Sequence, residues 1–230
     1  NAVLYVNGVP AASAALSRPF VPNPGWNTEM GSASALGRYF SGALDEVAIY
    51  PQALTADELL AHCQAATTNA AGYAAQILAH NPAGYWRLND AEAGGVVATN
   101  LGYLAAAGNG TFNGTTMVRT NDTPLVGDDD AALYFPGSGR IDIPRNEDLV
   151  RTDAFSYEIW YKEDPGVTGI RCPMWWRDEP TLGDTRGWVH YLMDLTDLGG
   201  RGHVMQTSST ATTWDGLAAA PLSFAQDAWQ

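Results

Sequence analysis

The stretch from residue 38 to residue 66 constrains the fold most, because it encodes a strand, a turn and a short helix in direct succession. Gly42 opens a run of β-forming residues, and Pro51 ends it because proline cannot donate to a β-ladder. The pattern Thr55-x-x-Glu58 that follows is a capping box, which marks the start of a helix. The sequence therefore predicts a strand that runs directly into a short helix.

Within this strand, period-two alternation predicts that Asp45, Val47 and Ile49 share one face. Asp45 would then point into an apolar layer, where an unpaired carboxylate is costly. Two groups could satisfy it: a bound Ca²⁺, which takes oxygen ligands, or backbone amides at the end of the strand.

The strand and helix carry the motif G-A-L-D-E-V-A-I-Y followed by A-L-T-A-D-E-L. This order resembles the closing segment of laminin G-like domains of the concanavalin A-like lectin/glucanase superfamily. The pattern L-Y-V-N-G at residues 4–8 resembles the hairpin that precedes the closing strand in that family, and Asn-Gly after a β-run predicts a type I′ turn. The resemblance implies an all-β fold, a two-sheet antiparallel jelly-roll sandwich with a short helix after the closing strand.

Later motifs follow the opening order of the same family. They are P-A-G-Y-W-R-L-N-D from Pro82, G-N-G-T-F-N-G from Gly108, A-L-Y-F-P-G-S-G from Ala132 and F-S-Y-E-I-W-Y-K from Phe155. The chain therefore resembles the late third of one domain (residues 1–66), a linker (67–72) and the first two-thirds of a domain (73–230). Two interpretations follow: a tandem repeat cut out of phase, or a permuted single sandwich.

Either interpretation leaves sheet edges that must be covered, because an open sandwich exposes unpaired strands. A neighbouring copy of the chain could supply the missing strands, which would build a filament or surface layer by strand addition. Alternatively, the two segments complete each other within one chain. Because the sequence begins with Asn1 rather than Met, we interpret it as an excised piece of a longer protein.

The net charge of the chain excludes some classes of binding partner. The chain carries 12 Lys and Arg against 25 Asp and Glu, a net charge of -13, which disfavours nucleic acid and anionic membranes. The sequence contains no apolar run long enough to span a bilayer, so membrane insertion is not expected. With the family resemblance, these features predict a module that is secreted or displayed on a cell surface.

Two cysteines, Cys63 and Cys172, leave two interpretations open. They could form a single disulfide in an oxidising compartment, or they could both remain free thiols. The sequence contains no C-x-x-C spacing, so it does not support a zinc site.

The resemblance also implies metal ligands. In laminin G-like and laminarinase-type relatives, an acid at the position of Asp45 helps to bind a structural calcium, with further ligands from the opening strand and its loop. The matching positions are Asn89, Asp90 and Glu92. If the chain is cut out of phase, these ligands belong to different copies. The acidic run at residues 128–130 either binds a cation or forms a solvated turn.

Aromatic residues indicate a carbohydrate groove. Glu158 and Trp160 share one face of a predicted strand, and Trp175, Trp176 and Trp188 come from nearby stretches. Sugars stack their apolar faces on tryptophan, and carboxylates accept hydrogen bonds from their hydroxyls, so these five residues form the predicted glycan-binding set. The alternative is that the tryptophans fill the core between two sheets.

The sequence lacks the patterns that catalysis would require. A retaining glycosidase needs two carboxyls roughly 5–5.5 Å apart, whereas Glu158 and Glu163 would face opposite sides of a regular strand. The motifs G-x-S-x-G and H-E-x-x-H are also missing. The sequence therefore predicts a module without enzymatic activity that binds a glycan or an extracellular protein.

Overall fold

The computed structural model describes residues 1–16, 25, 27–90, 97–114, 117–177, 187–210, 213–219 and 225–230. Across these residues the chain folds as a sandwich of antiparallel β-sheets with two α-helices, an architecture consistent with the concanavalin A-like fold that the resemblance implies. The all-β prediction is confirmed. In this part of the chain, neither helix is long and apolar enough to cross a membrane.

The strands are numbered in chain order. They are β1 (Ala2–Val6), β2 (Val9–Ala14), β3 (Thr28–Met30), β4 (Ser32–Ala33), β5 (Arg38–Tyr39), β6 (Ser41–Tyr50), β7 (Gly84–Trp86), β8 (Val97–Ala98), β9 (Gly110–Gly114), β10 (Val118–Thr120), β11 (Ala132–Pro136), β12 (Gly139–Ile143), β13 (Ser156–Glu163), β14 (Arg171–Arg177), β15 (Gly187–Leu195), β16 (Gly200–Thr210) and β17 (Thr213–Ala219). The helices are α1 (Ala56–Thr68) and α2 (Tyr73–Ala79).

Two sheets form the layers of the sandwich. The first has the order β10-β11-β6-β13, with β7 also paired to β6, and the second has the order β17-β16-β15-β14-β3-β12-β9-β8. Strands β1 and β2 form a separate hairpin, and β4 and β5 form a short ribbon. Apolar side chains of both layers meet in one core, which includes Leu44, Val47, Ile49, Leu133 and Phe135 from the first sheet and Met30, Ile141, Ile143, Trp176 and Trp188 from the second.

Strand β6 lies at the centre of the first sheet. One edge pairs with β11, where Leu133 lies opposite Leu44, and further along with β7, where Trp86 lies opposite Val47. The other edge pairs with β13. In the second sheet, β3 lies in the same way between β12 and β14. Strands from residues 1–66 therefore alternate with strands from the rest of the chain in both layers.

The division of the sequence into parts of two repeated domains stays a prediction. Within this chain, residues 67–72 form the end of α1 and a 3-10 helix, Ala70–Gly72. The Ala70 amide donates to the Val126 carbonyl at 2.9 Å, and the Val126 amide donates to the Ala66 carbonyl at 2.8 Å. These bonds attach the segment that was expected to be a linker to the loop before β11.

The predicted alternation of side chains is wrong in the middle of β6. The register of β6 against β13 shifts at Glu46, whose φ is +50°, so the strand contains a β-bulge. Val47 and Ile49 contribute to the core between the sheets, but the bulge turns Asp45 away from that core. Asp45 is buried beside Glu46 instead.

The local turn and cap predictions are confirmed. Asn7 and Gly8 have φ of 52° and 74°, as a type I′ turn requires, and they connect β1 to β2. Helix α1 begins at the capping box, where the Glu58 carboxylate accepts the Thr55 amide at 2.7 Å. Both helices cover the outer face of the first sheet through a second apolar cluster that includes Ala48, Tyr50, Leu54, Ala66, Tyr73, Ile77 and Trp160.

Cys63 and Cys172 do not form a disulfide with each other. Cys63 is partly buried on α1, and Cys172 is buried in β14. Burial raises the pKa of the Cys63 thiol, which keeps it protonated and less nucleophilic at neutral pH. Of the two interpretations that the sequence left open, the structure therefore shows the one without a disulfide.

Replacement of Gly42 by alanine should destabilise the protein strongly. Gly42 has φ of +141°, and an added Cβ would lie 2.1 Å from the carbonyl oxygen of Lys162 on β13. Because both atoms belong to paired backbones, neither can move without loss of the central pairing. We expect Gly42→Ala to lower the free energy of unfolding by about 3 kcal/mol, measured by urea denaturation.

The matched control is Gly72→Ala. An added Cβ at Gly72 would meet no atom within 4 Å, so this variant should unfold at the wild-type urea concentration. If Gly42→Ala were as stable as the wild type, β6 and β13 would not approach each other as closely as described.

Candidate functional site

A buried acidic cluster lies at the bulge of β6. Asp45 and Glu46 of this strand and Asp130, which precedes β11, are buried, and their ligand oxygens lie within 4.8 Å of one another. Burial raises the pKa of Asp45 well above its ordinary value and that of Glu46 to about 8. Loss of hydration is the main cause in both cases, because a charged carboxylate is poorly stabilised away from water.

A single guanidinium partly compensates the cluster. Arg87 Nε lies 2.9 Å from Glu46 Oε1, and Arg87 Nη2 lies 2.9 Å from Asp130 Oδ2. The Tyr85 hydroxyl also donates to Glu46. Glu46 is therefore hydrogen-bonded through both of its oxygens.

Asp45 is less well satisfied. Its Oδ2 accepts a hydrogen bond from the Thr123 hydroxyl at 2.9 Å. Its Oδ1 is buried and has no hydrogen-bond partner among the described residues. Three carboxylates face one guanidinium, so in ionised form the cluster would retain an excess of negative charge.

The structure brings two of the predicted calcium ligands to this cluster. Asp45 is a member, and Asn89 Nδ2 donates to Asp130 Oδ1 at 2.8 Å. Asp90 is exposed and lies outside the cluster. Its Oδ2 accepts a hydrogen bond from the Thr99 amide, in the loop after β8, at 2.8 Å. Glu92 lies outside the described residues.

Sequence reasoning missed Glu46 and weighed Asp130 only as part of an acidic run. Regular period-two alternation puts Glu46 on the face opposite Asp45, because the pattern contains no signal for a bulge. The one signal for Asp130 is its position directly before an apolar strand, where a side chain is more often buried than in the middle of a turn.

Glu158 and Trp160 lie on the face of β13 that meets α1, as alternation predicts. The Glu158 carboxylate accepts a hydrogen bond from the Tyr50 hydroxyl, and its Oε2 lies 3.1 Å from His62 Nδ1. Trp160 Nε1 donates to the Tyr73 hydroxyl at 3.1 Å, and Trp160 is only 8% exposed. Their polar groups are therefore engaged within the chain.

The other three tryptophans are buried. Trp176 and Trp188 belong to the core between the sheets, and Trp175 belongs to a smaller apolar cluster with Cys172 and Tyr191. Each of the three tryptophans is at most 1% exposed, so a sugar ring in solution cannot stack on it. The structure places them in the core, which was the alternative to the glycan groove.

A cavity of about 530 Å³ separates β13 from the β1–β2 hairpin. Residues 1–8 of the hairpin line one side, and residues 152–161 line the other. Strands β15 and β16 contribute His190, His203, Met205 and Thr207. The turn before α1 and the helix contribute Leu54, Leu59, His62 and Cys63.

Two buried histidines contact each other at the side of this cavity formed by the second sheet. The rings of His190 and His203 stack with centroids 5.4 Å apart, and His190 Nε2 lies 3.1 Å from His203 Nδ1. His203 Nε2 also lies 3.0 Å from the Tyr161 hydroxyl, and His190 Nδ1 lies 3.4 Å from that of Tyr157. Burial lowers the pKa of both histidines, that of His203 to about 4.

Comparison with known proteins supports the family resemblance. Residues 1–60 match a laminin G family model described as the concanavalin A-like lectin/glucanases superfamily. No curated protein and no solved structure matches the chain. The match confirms what the L-Y-V-N-G hairpin and the L-D-E-V-A-I-Y strand predicted, and such a family fits a module that binds carbohydrate or a partner protein.

The histidine pair should make the fold less stable in acid. The pKa values of His190 and His203 are lower in the folded chain than the value of 6.5 expected when unfolded, so protonation favours unfolding. Above pH 6.5 the two histidines are neutral in both states and do not change the free energy of unfolding. As the pH falls from 6.5 toward about 4, they lower it progressively. Each histidine should lower the free energy of unfolding by about 1.4 kcal/mol per pH unit in this range, measured by urea denaturation.

The raised pKa values of Asp45 and Glu46 act with the opposite sign, because these groups bind protons more readily in the folded state. A double variant, His190→Gln with His203→Gln, isolates the histidine contribution. Between pH 6.5 and 4 its stability should rise relative to the wild type. If the free energy of unfolding changed with pH in the same way for both proteins, the histidines would not titrate in this range.

Proposed function

We propose that this chain is a non-catalytic, calcium-supported module that binds a partner protein outside the cell. The concanavalin A-like fold and the family match fit binding of carbohydrate or of a partner. The calcium part rests on Asp45 Oδ1, a buried carboxylate oxygen without a hydrogen-bond partner among the described residues. The extracellular location rests on the family resemblance.

Calcium fits the charge and the donor atoms of the acidic cluster. Ca²⁺ takes about six to eight oxygen ligands, mainly carboxylates, carbonyls and water. Asp45 and Asp130 would supply carboxylates, and Asn89 would supply its amide oxygen. Glu46 would remain with Arg87, which already bonds it. The two charges of the ion would offset the excess of carboxylates over guanidinium.

A calcium ion in this place would have a structural role. Its ligands come from β6, from the residues after β7 and from the loop before β11. Strands β7 and β11 both pair with β6, so the ion would hold together the strands that meet at the centre of the first sheet.

A protein partner is better supported than a glycan. The five residues predicted to bind sugar are buried or hydrogen-bonded within the chain. Protein surfaces can instead be recognised through sheet edges and apolar grooves, and the cavity beside β13 offers both. The net charge of -13 favours a neutral or basic partner.

Calcium should raise the melting temperature, and Asp45→Asn should remove most of that increase. Calcium at about one hundred times its Kd stabilises a protein by about 2.7 kcal/mol, which corresponds to roughly 5–10 °C for a chain of this size. In chelator, Asp45→Asn should be at least as stable as the wild type, because it replaces a buried carboxyl whose ionisation is unfavourable with a neutral amide of the same shape. Scanning calorimetry with and without chelator measures both effects.

The matched control is Asp129→Asn. Asp129 is exposed and lies next to Asp130, so this variant should keep the full calcium response. A wild-type melting temperature that calcium does not change would remove the metal from the proposal and leave the binding role to be tested separately.

A second candidate function is assembly of neighbouring copies by strand addition. The outer edge of β13 favours it: Tyr161 and Glu163 bond there to residues 227–230, whereas β6 is the only strand that pairs with β13 among the described residues. If copies join in this way, the sedimentation coefficient should rise with protein concentration in the micromolar range. A single monomeric species at every concentration would contradict this candidate.

A further inference from the structure

Two histidines at the junction of α1 and α2 face each other through one ring nitrogen each. His62 lies on α1, and His80 directly follows the last residue of α2. His62 Nε2 lies 3.0 Å from His80 Nδ1, and the two ring centroids are 4.9 Å apart. His62 is 2% exposed, whereas the side chain of His80 is 23% exposed. The pair therefore extends from the buried side of the helices to solvent.

Each of these histidines directs its other ring nitrogen at a carboxylate. His62 Nδ1 lies 3.1 Å from Glu158 Oε2 on β13. His80 Nε2 lies 3.4 Å from Glu58 Oε1 on α1. Hydrogen bonds from the backbone and the side chain of Thr55 lower the pKa of the Glu58 carboxyl, so it is ionised near neutral pH. The result is a chain of four groups in the order carboxylate, imidazole, imidazole, carboxylate.

Two neutral imidazoles do not carry enough protons for this chain of groups. Its three contacts each need one proton, whereas a neutral imidazole has only one N–H. One contact would therefore join two acceptors. A single imidazolium would supply the third proton, but its one positive charge would still face two carboxylates. The arrangement therefore fits a species that carries two positive charges and binds both facing nitrogens.

A divalent metal ion between the facing nitrogens satisfies both the proton count and the charge. Histidines that bind a metal are neutral, and they usually donate the other ring N–H to a carboxylate, a carbonyl or water. Here the remaining N–H groups of His62 and His80 would point at Glu158 and Glu58. Two nitrogens bound to one tetrahedral zinc, each about 2.0–2.1 Å from it, lie about 3.3 Å apart. The observed separation of 3.0 Å therefore needs to widen only slightly.

We propose that His62 Nε2 and His80 Nδ1 bind one divalent transition-metal ion of the zinc class, which joins α1 to α2. Water on the exposed side of His80 would complete the coordination of the ion. Imidazole nitrogen suits zinc and its neighbours, whereas the oxygen donors of Asp45 and Asp130 suit calcium. This site therefore differs from the proposed calcium site in ion and in place, and it does not rest on the proposed function.

The other histidine pair of the chain provides an internal comparison. His190 Nε2 lies 3.1 Å from His203 Nδ1, which is nearly the same separation. The other ring nitrogens of that pair face the hydroxyls of Tyr157 and Tyr161 instead of carboxylates. None of these four side chains carries a negative charge to balance a divalent ion, and both histidines are buried. We therefore expect no metal at that pair.

The test is a titration of the full chain with zinc chloride, in excess calcium so that zinc does not compete for the oxygen donors. Isothermal titration calorimetry should show one zinc ion per chain. Saturating zinc should raise the melting temperature by roughly 5 °C or more, because the ion binds only the folded chain. His80→Gln should lose both effects and still unfold cooperatively, because His80 is partly exposed.

Glu58→Gln tests the carboxylate at the exposed end. Glutamine can keep the capping box but lacks the charge, so zinc should bind about tenfold more weakly or worse. The matched control is Asp57→Asn, which removes the same charge from the neighbouring, exposed residue of α1. This control should bind zinc as tightly as the wild type. Equal weakening by both variants would contradict the proposed contact between Glu58 and His80.

Nitrogen NMR of the imidazole rings identifies the ligands directly. Zinc should shift the resonances of His62 Nε2 and His80 Nδ1, while those of His190 and His203 should not change. Cys63 lies next to His62 in the sequence and is the competing donor, because thiolates also bind zinc. Cys63→Ala should therefore keep the zinc affinity of the wild type.

Three results would overturn the proposal. Absence of binding at millimolar zinc would show that the two imidazoles only share a proton. Zinc binding that persists in His80→Gln, or that is lost in Cys63→Ala, would assign the ion to other donors. The calcium shift in melting temperature, measured on the same sample without zinc, reports on the proposed module separately. A calcium response with no zinc response would remove the histidine site alone.

Discussion

The backbone pairing of β6 on both edges is the constraint on which the rest of the structure depends. This strand of 10 residues is buried along nearly its whole length, so its amide and carbonyl groups need partners inside the protein. All three strands that provide them, β7, β11 and β13, come from after residue 73. Residues 1–66 therefore cannot form their share of the sandwich without the later segment.

The same pairing explains where charge is buried. The bulge at Glu46 aims two consecutive acids away from the apolar core, and β7 and β11 bring Arg87 and Asp130 to the same place. The polar cluster thus forms at the point where strands of both segments converge. Its electrostatic cost and any ion that relieves it act directly on the pairing of β6, which ties the proposed metal to the stability of the whole sheet.

The sequence predicts the local elements well because their signals are local. The Asn7-Gly8 turn and the Thr55 cap need only neighbouring residues to form, and both occur as expected. The bulge depends on how β13 lies against β6, which no local pattern contains. Burial of Trp175 and Trp176 could be predicted only as the alternative to a glycan groove. Their side chains point to opposite faces of β14, and whether both faces are covered depends on tertiary packing that no local pattern contains.

The hairpin shows how a short β-element is held against the rest of this fold. A two-stranded hairpin is marginally stable alone. Here it is held where Gly8 packs closely against α1 and where Asn7 bonds to Gln230. Both contacts come from outside the hairpin, because α1 and Gln230, which pairs with Tyr161 of β13, supply them. The ladder between β1 and β2 is therefore a local feature of the sequence, whereas the position of the hairpin beside the sandwich depends on the tertiary fold.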